Sequence, residues 1–296
     1  MPMSPGMHER LRTMLALSLA LAMASLTTVG SMNPAIARPE IAPRTIGLAG
    51  VWQPPPGTTW QWQLVGAVDP DALAVEMVDL DLFDARPGQV NDGVIDRLHA
   101  NGIVAICYVD TGAWESYRPD AGRFPRSVIG RKTYASNGDP WVGERWLDIR
   151  RRSWSKFAYL MWRRLDLAVR LGCDGVEPDQ NNPWGNAPGF PITKADQEAW
   201  YLKVAKEAHR RGLSVGMKNG VETVNARTVA AFDWALNEEC FQYVECGRMM
   251  PFVRAGKAVF QTEYVGDPAA FCPKALARSF STLKKHLGLG AWRVAC

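Results

Sequence analysis

The chain has 296 residues, 47% hydrophobic and 22% charged, enough for one large core or two modest ones and unlike a disordered polymer. Its formal net charge of +4 is spread among helical Lys and Arg without a basic stripe, which excludes nucleic acid as a partner. Twelve Trp and seven Tyr exceed ordinary packing needs; most belong in a core, but Trp also suits stacking on the apolar faces of sugars.

In chain order, the first feature is an export signal. Arg10 and Arg12 precede an apolar run from Met14 to about Leu26, and Ala35-Ile-Ala37 offers a small-x-small cleavage site, so residues 1–37 read as a signal peptide and 38–296 as the mature domain. Thr27, Thr28, Gly30, Ser31 and Asn33 interrupt the run before the roughly 20 residues of a membrane span, so no stable membrane insertion is expected.

Strand-like runs follow at 59–64, 75–81, 103–110, 175–179, 213–219, 232–237, 258–264 and 289–294, with helical patterns at 92–100, 153–171, 194–211 and 268–287. Thr193 and Asp196 form a capping-box start, and Gly102, Gly172, Gly212 and Gly288 stand where left-handed residues end helices. Strands alternating with helices predict a single closed (β/α)8 TIM barrel, with 111–150 as a loop over its top. Dinucleotide-binding and P-loop fingerprints are missing, so no cofactor is expected. Among six cysteines, Cys240–Cys246 and Cys272–Cys296 are the expected bridges, while Cys107 and Cys173, beside apolar strands, read as buried thiols.

Period-2 alternation then places the acids. Asp79 and Asp81 share one face of their strand opposite Val78, Leu80 and Leu82; Tyr108 and Asp110, Glu177 and Asp179, and Gln261 and Glu263 share faces of theirs. Carboxylates delivered by several strand ends to one rim mark a barrel active site. The competing reading is a structural ring of ion pairs with Arg145, Arg118 and Lys218. No metal is expected, because His99, His209 and His286 sit near helix ends, where the helix dipole accounts for them, and no G-x-S-x-G elbow supports a Ser/His triad. Crowded carboxyl groups suit glycoside hydrolysis, which needs one protonated and one ionised member.

The segments Trp52-Gln-Pro-Pro-Pro-Gly-Thr-Thr-Trp-Gln-Trp-Gln-Leu64, Val78-Asp-Leu-Asp-Leu-Phe-Asp84, Ile106-Cys-Tyr108, Gly143-Glu-Arg-Trp-Leu-Asp-Ile149, Asp174-Gly-Val-Glu-Pro-Asp179, Lys218-Asn219 and Asn237-Glu-Glu-Cys-Phe241 resemble glycoside hydrolase family 114, the endo-α-1,4-polygalactosaminidases, which have a TIM-barrel fold. The resemblance implies an endo-acting cut in α-1,4-linked galactosamine polymers, with Asp179 and Glu238 as the catalytic pair; Asp79, Asp81, Tyr108, Asp148, Glu177, Lys218, Glu239 and Glu263 are the residues expected around the substrate. Gln180-Asn-Asn182 departs from the family pattern, where an Asn followed by an Asp is expected, and this affects a secondary substrate contact. Alternation through Asp233, Ala235 and Asn237 favours Glu239, whereas the resemblance favours Glu238, with a bulge at the strand end reconciling the two. For Asp179 the alternative is a helix-capping role; Tyr108, Lys218 and Glu263 could equally be polar barrel-layer residues. The expected partner is a cationic galactosamine polysaccharide met by a monomer. A barrel that binds polysaccharide without cleaving it, and a hydrolase of a neutral or N-acetylated polymer, are the other classes.

Overall fold

The computed structural model describes residues 50–296. The expected signal segment and its cleavage site at Ala37 lie outside these residues.

Eight parallel strands form one curled sheet: β1 (Trp60–Gln63), β2 (Met77–Asp81), β3 (Val104–Asp110), β7 (Gly175–Asp179), β8 (Ser214–Lys218), β9 (Trp234–Glu238), β10 (Val259–Glu263) and β11 (Ser281–Lys284). A short antiparallel β12 (Val294–Ala295) edges β11. Between β3 and β7 lies a second, three-stranded antiparallel sheet of β4 (Ala113–Glu115), β5 (Ile129–Tyr134) and β6 (Pro140–Leu147), ordered β4-β6-β5. The helices are α1 (Val94–Ala100), α2 (Trp154–Leu171), α3 (Lys194–His209), α4 (Ala226–Ala231), α5 (Met250–Arg254) and α6 (Pro268–Leu276).

Alternation sorts the side chains into two layers. Odd residues of β2 and β3's even residues point into the curl, where Trp60, Trp62, Met77, Val104, Ile106, Trp234, Leu236, Phe260 and Leu283 pack as one cluster. The opposite faces, carrying Val78, Leu80, Ala105, Cys107, Val176, Val215, Ala235 and Val259, pack with Leu98, Leu165, Tyr201, Ala205 and Phe252 of the helix layer. Inward-facing position 216 has room only for glycine, since a Cβ there would lie 2.2 Å from the Trp234 indole. The inner layer is thus apolar toward the strand starts, leaving the polar inward residues at the C-terminal ends, as in barrel enzymes.

The sheet is less regular than a closed eightfold barrel. Among the described residues no ladder pairs β1 with β11. The two edges are joined by other means: the Trp60 indole donates to Ser281 O (2.9 Å), the Leu64 amide to Leu289 O (2.9 Å), and buried Lys285 to Gln61 Oε1 (3.2 Å) and Gly290 O (2.6 Å). The eighth strand is Ser281–Lys284 rather than 289–294, and the last helix stops at Leu276 rather than running to 287. Pro273 inside the helix and Ser279 at φ 57° break the helical register, after which alternation sends Phe280 to the helix layer and Leu283 inward. The stretch 111–150 is the antiparallel sheet and its turns, so it is far more ordered than a loop.

All six cysteines are paired: Cys240–Cys246 and Cys272–Cys296 as expected, and Cys107–Cys173 in place of two thiols. Cys107 points outward from β3, and Cys173 enters the neighbouring β7, so adjacent strands bring them together. The capping box of Thr193 and Asp196 opens α3, and Gly172 ends α2 at φ 86°. No helix among the described residues is long and apolar enough to cross a membrane.

Candidate active site

At the C-terminal ends of the strands an open cleft of about 1320 Å³ is lined by Trp62, Asp81, Tyr108, Glu144, Asp179, Lys218, Asn219, Glu238, Glu239 and Tyr264, among others. Its centre is Lys218. The ammonium lies 2.6 Å from Glu177 Oε1, 3.4 Å from Asp179 Oδ2 and 3.2 Å from Glu238 Oε2, and 4.5 Å from the centre of the Trp62 ring. Burial disfavours its charge, but Asp179, Glu177 and Glu238 outweigh that and hold its pKa well above the usual lysine value. The residues arrive on adjacent parallel strands, β7, β8 and β9, whose C-terminal ends stand side by side.

Each carboxylate has its own anchors. Asp179 accepts from the Tyr108 hydroxyl (3.1 Å) and the Gln180 amide (2.7 Å). Glu238 accepts from Asn219 Nδ2 (2.8 Å) at one oxygen and from the Tyr264 hydroxyl at the other. Burial pushes Glu238 upward, yet Lys218, Tyr264 and Asn219 together bring it below the ordinary glutamate range. The residues just past the three strand ends, Gln180, Asn219 and Glu239, take positive φ of 56°, 48° and 59°. Non-glycine residues rarely adopt this conformation, and it recurs at three strand ends around one rim whose residues line the cleft.

The structure settles the inward face of β9. Trp234 and Leu236 lie in the inner cluster, so Glu238, two further on, points inward by simple alternation. Asp233 and Ala235 belong to the other face, so no bulge is needed. Glu239 reaches the cleft from its turned backbone, where it accepts from Ser136 Oγ (3.0 Å).

Other expected residues lie elsewhere. Asp79 and Glu177 sit beneath the cleft floor rather than lining it. Glu177 accepts from Trp62 Nε1 (3.0 Å) and Lys218, while no N–H or O–H donor reaches buried Asp79. Burial and then the facing Glu177 drive the Asp79 pKa well up, and burial lifts Glu177 to about 7 against the pull of Lys218. Asp81 lines the cleft but is gripped by Arg118 through both oxygens (2.8 and 2.5 Å), as in the ion-pair reading. Arg145 is exposed and donates to Gly130 O instead. Asp148 is buried outside the cleft against Arg150 (2.6 and 2.7 Å) and Ser153 Oγ (2.6 Å), organising the turn before α2. Glu263 and Gln261 point away from the inner layer, because Phe260 is the inward residue of β10; Glu263 accepts from the Phe241 amide (2.9 Å) and Gln261 Nε2 (2.6 Å). His99 and His209 pair with Asp174 (2.9 Å) and Asp233 (2.8 Å) at the opposite ends of the strands.

Tyr264 and Glu144 were not singled out by sequence. Tyr264 shares the parity of Phe260, which was the available signal. Glu144 sits on the inserted antiparallel sheet, whose placement over the cleft has no sequence periodicity to announce it.

The model of glycoside-hydrolase family GH114 matches residues 42–296. Among solved structures, Aspergillus fumigatus Ega3, crystallised with galactosamine, is 34% identical, with 83% of this chain and 97% of that one covered and a TM-score of 0.73. The glycoside hydrolase domain of PelA from Pseudomonas aeruginosa is 12% identical over 80% of this chain and 98% of that domain, at a TM-score of 0.63, a likeness of fold. A comparison with curated protein sequences gave no match. A family match over the whole described chain, on a fold that gathers acids at one strand-end cleft, places the protein in glycoside hydrolase family 114.

Proposed function

We propose that this enzyme is an exported, endo-acting hydrolase of α-1,4-linked galactosamine polymers, working in a closed (β/α)8 barrel with Asp179 and Glu238 as the reacting pair. The observation that carries the reading is one buried ammonium, Lys218, holding both carboxylates at neighbouring strand ends in an open cleft. The 34% identity to a protein crystallised with galactosamine supports the substrate class, and an open groove suits internal cleavage. Three disulfides support export, since such bonds persist in oxidising compartments.

The spacing is compatible with retention of configuration. Asp179 Oδ2 and Glu238 Oε2 can be no further apart than the sum of their 3.4 and 3.2 Å distances to Lys218 Nζ. That upper bound only reaches the lower edge of the inverting range of about 6.5–9.5 Å, and retaining pairs stand about 5–5.5 Å apart. In a double displacement one carboxyl protonates the departing glycosidic oxygen while the other attacks the anomeric carbon; the first, now ionised, then takes a proton from a water that attacks that carbon and releases the second carboxylate. Lys218 serves both halves. When bond formation or protonation neutralises one carboxylate, the same ammonium remains to stabilise charge on the other.

The test is reducing-end release from partially deacetylated galactosaminogalactan by wild type, Asp179→Asn and Glu238→Gln, each checked for folding. Both variants should lose activity by at least about a hundredfold while still binding polymer. A wild type that releases no reducing ends overturns the reading.

A further inference from the structure

The wall of the cleft built by β4 and β6 carries an acidic cluster that the catalytic pair does not use. One ligand-capable oxygen each from Asp110, Glu115 and Glu144 lies within 4.8 Å of the others. Glu115 and Glu144 are cross-strand partners, and Asp110 pairs in register with Asp179 on β7. Glu115 is compensated, since Arg118 (2.6 Å) and Arg164 (3.0 Å) each take one of its oxygens. The other two carboxyls have no ion pair of their own, although Arg164 donates to the Asp110 backbone carbonyl (2.8 Å). Glu144 receives only neutral hydroxyls, Tyr117 at 2.9 Å and Thr133 at 3.2 Å. Asp110 is fully buried, and neither of its carboxyl oxygens has a hydrogen-bond partner.

An unpartnered buried carboxyl is costly, and carboxyls crowded on and behind the cleft wall take up their full charge only when a cation comes to meet them. Both groups register the crowding. Burial, then Glu115, Glu144 and Asp179, keeps Asp110 well above the usual carboxylate range; burial raises Glu144 to about 7, and Asp179 is among the charges that push it. The two guanidinium groups are already divided among Glu115, Asp81 and Asp120, leaving a deficit of positive charge on the cleft side. A neutral sugar does not relieve that deficit. A monovalent ammonium does, whereas a metal dication would meet two guanidinium groups across Glu115.

We infer that Glu144, backed by Asp110, is the specificity-determining acid that binds the ammonium group of a galactosamine unit lying beside Asp179, and that it thereby distinguishes free-amine from N-acetylated units. This rests on the proposed galactosamine-polymer reading and adds to it the group that reads the amine. The ammonium donates to Glu144 while Tyr117 and Thr133 hold the carboxylate in place.

The test uses binding, so that it stands apart from turnover. A de-N-acetylated α-1,4-galactosamine oligomer and its N-acetylated counterpart are titrated calorimetrically into the full-length Glu238→Gln protein, with and without Glu144→Gln. The affinity ratio of cationic to acetylated oligomer should fall about tenfold or more with Glu144→Gln, the loss of one charge-assisted hydrogen bond. The glutamine preserves an acceptor for Tyr117 and Thr133, so a merely structural role predicts an unchanged ratio, or equal loss for both oligomers. Either result overturns the inference, as does failure of the cationic oligomer to bind the Glu144-intact protein. Failure of the hydrolase reading is seen separately, as a wild type that binds but releases no reducing ends.

Discussion

Lys218 is the residue through which the site is most directly tested. It is fully buried and touches three carboxylates, so replacing it with methionine preserves bulk but removes the charge that favours their ionised forms. The sign follows: without the ammonium the carboxyl pKa values rise, Glu238 from its lowered position among them. The kcat/KM profile of Lys218→Met should therefore move to higher pH on both limbs; an unmoved profile, or one displaced to lower pH, would show that the lysine does not set these charges. Glu177 loses its buried partner in the same variant, which should destabilise the fold by about 3–5 kcal/mol in chemical denaturation. Asp179, Glu238, Lys218 and Tyr108 were readable in the sequence because motif and strand end coincide. Glu263 and Asp148 were misplaced for different reasons. In Gln261-Thr-Glu263 either parity gives a plausible polar face, and only Phe260 in the inner cluster decides it, whereas Asp148 is consumed by Arg150, two residues away. Asp79 was assigned the right face, but its depth below the rim depends on the stagger of neighbouring strands.

The elements divide into those that hold the sheet and those that hold the rim, and the disulfides mark the difference. Cys107–Cys173 closes a loop of sequence separation 66 between adjacent strands on the helix-facing side, away from the cleft. Chain entropy for a loop of that size gives about 4 kcal/mol. Cys240–Cys246 spans only 6 residues, worth about 2 kcal/mol on the same scale, but it begins two residues after Glu238 and directly follows the turned Glu239. Paired Cys→Ala replacement should therefore separate two effects. Removing the first bridge lowers the melting temperature more, and removing the second lowers kcat/KM more per degree of stability lost; equal ratios for the two would refute this division. Six of the eight parallel strands fell within the expected runs and β9 overran its run by one residue, Glu238, because apolar alternation is a local signal. The eighth was hidden by an apolar, helix-like stretch from Pro268 onward, in which Ser279 at positive φ makes the break. The β4-β6-β5 sheet escaped notice because β4 has only three residues and β5 is largely exposed, with register shifts between β5 and β6 that blur alternation.

At the scale of the whole molecule the charge distribution opposes the net charge. The full chain is formally +4, yet the cleft is lined by Asp81, Asp84, Glu144, Asp179, Glu222, Glu238, Glu239 and Glu245, against Lys218 and Arg118. A field of this kind concentrates cations locally even though the protein as a whole repels them weakly. Single exposed pairs contribute only about 0.2–1 kcal/mol, so attraction for a cationic polymer comes from several acids acting on successive units. Such long-range attraction is screened over a Debye length of about 10 Å at 0.1 M salt and about 3 Å at 1 M, while the buried Lys218 contacts are much less affected. Salt should therefore act on capture and spare the bond-breaking step. For deacetylated polymer, KM should rise steadily with added sodium chloride at constant pH while kcat changes little. A fully N-acetylated polymer, if turned over at all, should show neither dependence. Constant KM for the cationic polymer across that range would mean that the acidic lining does not capture substrate, and would confine electrostatic recognition to direct contacts such as the one assigned to Glu144.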